Sequence, residues 1–166
     1  MQCDLENPGA YHAALHRKGC EAAEHRNRHW MAFFSPVGYG YRFDAFAHSL
    51  VSLFGITEGD QCDLVDAFIT EEVLQKDVMV LPAFHPVIKP EDDAWASLEV
   101  SFSYSFKNKP YEFHNGGLWP LVTGFYVADL AKRGKTDLAQ KYLQGIHRAN
   151  ELDAEGGEWG FYEFLH

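Results

Sequence analysis

The helical periodicity of the apolar residues constrains the fold of this chain more than any other feature of its sequence. One stripe occupies positions i, i+3, i+4, i+7, i+8 and i+11 of a helix and consists of Phe43, Phe46, Ala47, Leu50, Val51 and Phe54. A glycine directly after such a stripe commonly ends the helix, and Gly55 stands at that position. We therefore expect a helix from Arg42 to Gly55 that buries this stripe.

Three further segments carry the same period. Residues 64–69 follow after a short connection, which predicts a second helix packed antiparallel on the first. A third helix is predicted to begin at Trp119 and Pro120, because proline suits a first turn, and to end at Gly134. A fourth is predicted from Thr136, a residue type that caps helices, to near Asn150. Together these segments predict an all-α array of antiparallel helix hairpins.

The remaining segments predict one more helix and two irregular stretches. Residues 10–28 are rich in Ala, Glu, His and Arg without proline, which predicts a mainly solvated helix. Residues 33–41 place turn residues between aromatic ones and predict a loop. Residues 78–110 contain four prolines among aromatic and acidic residues, so a long, ordered and functional loop is expected there.

The charge of the chain excludes several classes of partner. Its 166 residues include 14 Lys plus Arg against 24 Asp plus Glu, which gives a net charge of −10. Nucleic acids bind to basic surfaces, so we expect no nucleic-acid partner. The apolar runs are shorter than the roughly 18 residues that span a bilayer, and the N-terminus lacks the pattern of a signal peptide. We therefore expect a cytoplasmic protein without a membrane partner.

Neither the cysteines nor the histidines predict a metal site. The three cysteines include no CxxC pair, which argues against a disulfide framework or a zinc knuckle. Histidines stand at i and i+4 in His12 and His16 and in His25 and His29, but neighbouring Lys and Arg disfavour a bound cation. These histidines are expected on the surface. Since the chain also lacks a phosphate-binding or dinucleotide-binding loop, we expect no cofactor.

The segment from Tyr111 to Pro120 is the densest candidate site. His114 and Asn115 can both donate and accept hydrogen bonds, and the glycine pair after them lets the backbone approach a ligand closely. A rigid turn at a helix N-terminus, facing a cavity, is expected. An ordinary capping turn would use the same residues.

Three carboxylates lie beside aromatic residues: Asp44, Glu112 and Glu163. Hydrolysis of a bond between sugars typically requires two carboxylates, one acting as an acid and the other as a base or nucleophile. Each residue also has a structural interpretation. Asp44 would favour a helix dipole, Glu112 would pair with a nearby lysine, and Glu163 would be an ordinary exposed residue.

The order of several short motifs resembles the C-terminal part of the alkaline/neutral invertase family and of bacterial amylo-α-1,6-glucosidases of the glycogen-debranching type. The matching runs are Ser35-Pro36, Arg42-Phe43-Asp44, Leu81-Pro82-Ala83, Asp93-Ala94-Trp95, the run from His114 to Pro120, and Trp159 with Tyr162-Glu163. In invertases the glutamate lies two positions after the tryptophan, where this chain has Phe161. Glu163 lies four positions after Trp159, which looks more like the debranching-type proteins.

The resemblance implies a partial (α/α)6 toroid of helix hairpins with a sugar pocket at its mouth. It implies that Glu163 is a catalytic base or nucleophile and that Asp44, His114, Asn115 and Trp119 bind an oligosaccharide or disaccharide. The function expected is that of a glycoside hydrolase acting on an α-glucosidic or sucrose-like bond. The alternatives are a non-catalytic or truncated carbohydrate-binding module and a sugar epimerase on a related helical toroid, in which histidines move a proton.

The length of the chain bears on its activity. A ring of six hairpins needs roughly 180 to 220 residues at ordinary helix and loop lengths, so 166 residues are expected to form a single domain that is a fragment of a larger catalytic domain. We expect this chain to be inactive as a hydrolase by itself. An incomplete core would expose an apolar face, which favours self-association.

Overall fold

The structure is a computed structural model that describes residues 13, 17, 28–35, 38–57, 59–74, 78–101, 104–152 and 160–166. Within these residues the chain is mostly α-helical. The helices are α1 (Ala45–Leu53), α2 (Gly59–Phe68), α3 (Trp95–Glu99), α4 (Pro120–Lys132) and α5 (Thr136–Glu151). A π-helical turn, Ile69–Val73, continues α2 without a break. Of the helix predicted over residues 10–28, only Ala13, Arg17 and Arg28 are described.

Short strands accompany the helices, which corrects the expectation of an all-α chain. The strands are β1 (Phe33–Ser35), β2 (Gly38–Gly40), β3 (Phe43–Asp44) and β4 (Phe84–His85). β1 and β2 form an antiparallel hairpin where a loop was predicted. β3 pairs antiparallel with β4, which lies in the predicted loop of residues 78–110 together with α3. Pairing between segments far apart in sequence is a tertiary interaction that local patterns do not reveal.

Helix α1 begins three residues later than predicted. The prediction began at Arg42, but Phe43 and Asp44 are extended because they pair with β4. The Asp44 carboxylate then accepts a hydrogen bond from the backbone N–H of Ala47 at 2.9 Å and so caps the helix. At the other end Gly55 has a positive φ of 68°, and the predicted glycine cap is confirmed.

The orientation of α1 is opposite to the one predicted. Its buried residues are Ala45, His48 and Ser49, two of which are polar. Of the predicted stripe, Phe46 and Phe54 are 38% and 68% exposed. Phe43 is fully buried, but from strand β3 rather than from the helix. The polar side chains of α1 face inward because buried partners satisfy them, as described below.

The predicted hairpin of α4 and α5 is confirmed. Pro120 lies in the first turn of α4, and Gly134 follows the helix with a positive φ of 78°. The N–H of Lys135 donates to the Leu130 carbonyl at 2.9 Å, which closes the turn between the two helices. α4 packs against α5 on one side and against α1 on another. α1 therefore packs mainly against α4 rather than against α2, the helix that the sequence pattern paired with it.

The larger of two buried apolar clusters forms the core between these helices. Its most deeply buried large side chains come from β3, the π-helical turn, the segment after that turn, α4 and α5: Phe43, Ile69, Leu81, Tyr126, Leu130 and Tyr142. The smaller cluster consists of Val80, Leu118 and Ala149. No helix among the described residues is long and apolar enough to cross a membrane.

Candidate functional site

The turn before α4 is closely packed and hydrogen-bonded, and its glycines are needed for this packing. A side chain at Gly117 would place its Cβ 2.3 Å from the carbonyl oxygen of Phe113, and Gly116 has a positive φ of 89°. Two backbone hydrogen bonds of 2.8 Å join Leu118 to Leu165, one in each direction. The turn is thereby fixed to the last described residues of the chain.

Asn115 has a structural role that conflicts with the expected contact to sugar. Its side chain is completely buried. The side-chain oxygen accepts the N–H of Ile88 at 2.7 Å, and the side-chain nitrogen donates to the carbonyls of Ile88 and Asn108 at 2.8 and 3.0 Å. Both donors are therefore used within the protein. We correct the prediction: Asn115 fastens the turn to the preceding loop and does not face a ligand.

Trp119 is also placed differently from the expectation of a sugar platform. Only 7% of the residue is exposed, and its indole N–H donates to the Phe113 carbonyl at 2.9 Å. Its ring stacks on His114 and on Phe164, with centroid distances of 4.9 and 5.8 Å. Neighbouring rings occupy the places that a sugar would take, so Trp119 supports His114 from behind.

His114 is the exposed member of this aromatic cluster. Its backbone N–H donates to the side-chain oxygen of Asn108 at 3.1 Å, which holds its main chain in place. Partial burial against the cluster lowers the pKa of the imidazole, while the negative charges of Glu163 and Asp44 oppose this shift. The structure therefore brings Asp44, His114 and Glu163 close enough to interact electrostatically.

Different parts of the chain position the carboxylates of Asp44 and Glu163. Asp44 lies at the junction of β3 and α1, where the N-cap hydrogen bond orients its side chain. Glu163 is exposed, in the short segment between Phe161, whose φ is 46°, and Leu165, which bonds to Leu118. A positive φ at a bulky residue stores strain, and such strain is common at functional sites. The expectation that Asp44, His114 and Glu163 share one surface is consistent with this arrangement.

A small cleft lies elsewhere, between α1, α2 and α4. It is lined by residues that include Trp30, His48, Ser52, Cys62, Asp66, Asp129 and Arg133, and by none of the five predicted site residues. The space in it suffices for about one water molecule, far less than a sugar ring needs. The predicted turn therefore does not border this cleft.

Buried charges dominate one wall of the cleft. Arg133 donates to both carboxylate oxygens of Asp66, at 2.8 and 2.9 Å, and to Asp129 at 2.8 Å. Burial disfavours the charge of Arg133, but these two carboxylates outweigh it and raise the pKa of the guanidinium. Asp66 also accepts from the hydroxyl of Tyr126 and from Lys135. The arrangement is a satisfied ion network that holds α2 to α4 and to the start of α5.

His48 forms the opposite wall and is fixed in one tautomer. Its Nε2 accepts the backbone N–H of Trp30 at 2.9 Å, so Nδ1 carries the proton and donates to the Asp44 carbonyl at 2.6 Å. Burial lowers the pKa of His48 to about 4. His29 is half-buried beside it, with a centroid distance of 5.5 Å, which corrects the expectation of a surface histidine.

Sequence reasoning did not identify the residues of this cleft. A signal was present: Asp129 and Arg133 are spaced i, i+4 on an otherwise apolar helix, the spacing of a helical ion pair. Polar residues on the inner side of α1 were overlooked because the apolar stripe dominated the pattern. Comparison with known proteins adds no assignment, since neither a protein-family model nor a curated protein matches the chain.

Proposed function

We propose that this chain carries part of the active site of a glycoside hydrolase that acts on an α-glucosidic or sucrose-like bond. The observation that carries the proposal is that the charges of Asp44 and Glu163 both act on one exposed imidazole, that of His114. The two carboxylates come from distant parts of the sequence. Hydrolysis of a glycosidic bond requires two carboxylates, and Glu163 is one of them in this proposal.

Each of the three residues has a distinct role in this proposal. Glu163 is the base or nucleophile, because its carboxylate is exposed and free to meet a sugar. One oxygen of Asp44 is engaged with Ala47, which leaves the other to accept a hydrogen bond from a sugar hydroxyl. His114 can donate to or accept from a hydroxyl group, since its lowered pKa favours the neutral imidazole. Trp119 positions His114 by stacking.

The helix arrangement supports a toroid as the larger architecture. In a ring of antiparallel hairpins, corresponding helices of neighbouring hairpins run parallel. α4 and α5 form such a hairpin, and α1 runs parallel to α4, since Phe46 meets Phe125 near one end and Ser52 bonds to Asp129 near the other. These contacts are those expected of one complete hairpin beside a helix of the next.

The test uses the full 166-residue chain and measures binding by NMR. We expect maltose, isomaltose or sucrose at millimolar concentrations to shift the amide signals of His114 and Glu163. A protonated iminosugar resembles the cationic transition state of glycoside hydrolysis, so it should bind about tenfold more tightly than the neutral sugar or better. Glu163→Gln should remove this preference, because the carboxylate that attracts the cation is lost.

Glu99→Gln, at an exposed glutamate of α3, is the matched control and should leave the preference intact. Absence of any shift at His114, or a preference that survives Glu163→Gln, would contradict the proposal. Equal affinity for sugar and iminosugar would favour a non-catalytic sugar-binding module. We expect no hydrolysis by this chain, and hydrolysis abolished by Glu163→Gln would show that the acid lies within it, with Asp44 and Glu112 the first candidates.

A further inference from the structure

The outer face of α1 is apolar although the inner face is polar. Ala47 and Phe54 are exposed, Phe54 by 68%, and Leu50 and Val51 between them are partly exposed. His48, Ser49 and Ser52 occupy the core side, where Ser49 and Ser52 donate to Ala45 and Asp129. A helix with apolar residues on its outward face is normally covered by another element.

Helix α4 extends this apolar face. Phe125 packs edge-to-face on Phe46 with a centroid distance of 4.9 Å, which joins the two helices at the surface. Leu121, one turn before Phe125, is 63% exposed. Gly124 lies beside it, and a Cβ at that position would meet no atom within 4 Å. The face therefore carries projecting side chains next to an open depression.

The charge of the chain restricts what can cover this face. Residues 45–53 and 120–128 contain no Asp, Glu, Lys or Arg, although the chain as a whole carries a net charge of −10. Lys132 lies on the same side of α4 as Leu121 and Phe125, and its ammonium group donates to the Leu53 carbonyl at the edge of the face. Two copies can therefore meet here without bringing acidic side chains together, whereas most other contacts would bring acidic surfaces together. An anionic membrane is disfavoured for the same reason, because it attracts basic rather than acidic proteins.

We propose that the α1/α4 face, made of Phe46, Leu50, Phe54, Leu121, Gly124 and Phe125, binds a second copy of this chain. A two-fold dimer places the same patch of both copies in contact, so one patch must contain both projections and depressions. This face has both, since Leu121 and Phe54 project and Gly124 leaves a depression. The dimer leaves His114 and Glu163 outside the contact and is independent of the proposed hydrolase function.

The size of the face is that of a weak dimer. The exposed parts of Phe46, Phe54 and Leu121 amount to roughly 300 Å² of apolar surface in each copy. The pair then buries less than the 1,200 Å² that stable complexes usually reach, which corresponds to a weak, reversible dimer. We expect a dissociation constant in the range of about 1 to 100 µM.

Sedimentation velocity and light scattering of the full chain from about 1 to 500 µM test the proposal. The wild-type chain should change from monomer to dimer, and Phe54→Asp or Leu121→Asp should remain monomeric across the range because the new charge is buried in the contact. Val100→Asp is the control, since Val100 is 81% exposed and lies outside the face. Circular dichroism verifies that each variant is folded.

Three results would overturn the proposal. The first is a wild-type chain that stays monomeric at 500 µM. The second is a dimer that Val100→Asp weakens as much as Phe54→Asp and Leu121→Asp do. A dimer that still forms in both Phe54→Asp and Leu121→Asp counts equally against the proposal. The third is a monomeric chain that binds neutral phosphatidylcholine vesicles through this face, which would identify a lipid surface as the occupant instead.

Discussion

His48 connects two segments that are distant in sequence through its two ring nitrogens. Nε2 accepts from the N–H of Trp30 and Nδ1 donates to the carbonyl of Asp44, so the neutral ring joins the segment before β1 to the start of α1. Protonation at Nε2 would leave two donors, the ring N–H and the backbone N–H of Trp30, facing each other without an acceptor. The hydrogen bond to Trp30 therefore requires the neutral form, in agreement with a pKa lowered by burial to about 4.

The stability of the fold is expected to fall as the pH decreases below 6.5. The unfolded chain has the ordinary histidine pKa and binds more protons than the folded chain between pH 6.5 and 4, so stability rises with pH in this window. His48 alone should make the free energy of unfolding about 2 kcal/mol lower at pH 5 than at pH 7.5. Urea denaturation at the two pH values measures this difference.

His48→Gln should remove most of this pH dependence, since glutamine can donate and accept without titrating in the window. His29, His85 and His114, whose pKa values are also lowered by burial, account for the remainder. A pH dependence as steep in His48→Gln as in the wild-type chain would rule out this role.

At the scale of the helices, two glycines that both lie inside a helix have different roles in the structure. Gly124 and Gly145 both lie within helices, α4 and α5, where glycine is unfavourable. Gly124 faces open space. Gly145 faces the backbone of the segment before β4, and a Cβ there would lie 2.3 Å from the carbonyl oxygen of Met79. Only Gly145 is required by packing.

The same substitution should therefore have opposite effects at the two positions. Gly145→Ala is expected to lower the free energy of unfolding by about 1 to 3 kcal/mol, because the Met79 backbone must move. Gly124→Ala is expected to raise it by about 0.5 to 1 kcal/mol through helix propensity. Thermal and urea denaturation at about 1 µM, at the low end of the dissociation range expected for the dimer, measure both effects. A stabilising Gly145→Ala would show that the Met79 segment adapts freely.

At the scale of the whole molecule, the ion network around Asp66 unites elements that are far apart in sequence. Asp66 on α2 contacts Arg133 at the end of α4 and Lys135 at the start of α5. Tyr126, in the core of α4, donates to the same carboxylate. Burial favours the protonated form of Asp66, but the hydrogen bonds to these three partners outweigh it and lower the pKa. The carboxylate is therefore a junction of three helices.

Removing this junction should weaken the whole fold. Asp66→Asn is expected to lower the free energy of unfolding by about 3 to 5 kcal/mol, because Arg133 loses a buried partner. Asp63→Asn is the matched control, since Asp63 also pairs with Lys135 but has a mostly exposed side chain. Its effect should be below about 1 kcal/mol. Equal losses for the two variants in urea denaturation would contradict a special role for the buried carboxylate.

The sequence by itself determined the elements whose signals are local. The end of α1 at Gly55 and the limits of α4 follow from glycine and proline, whose backbone preferences act within a few residues. The close packing of the turn before α4 depends on its glycine pair in the same local way. The choice of Asp44, His114 and Glu163 as neighbours came from the resemblance to a glycosidase family, since no local signal connects residues so far apart.

Only the tertiary structure decided which face of each helix is buried and what the polar residues do. Periodicity identifies a stripe but not its direction, and on α1 inward positions went to His48 and Ser52 because Trp30 and Asp129 offered them hydrogen bonds. Asn115 and Trp119 became buried for the same reason: their polar atoms found backbone partners inside the fold. Such pairings depend on segments that meet only when the chain is folded, and no local pattern encodes them.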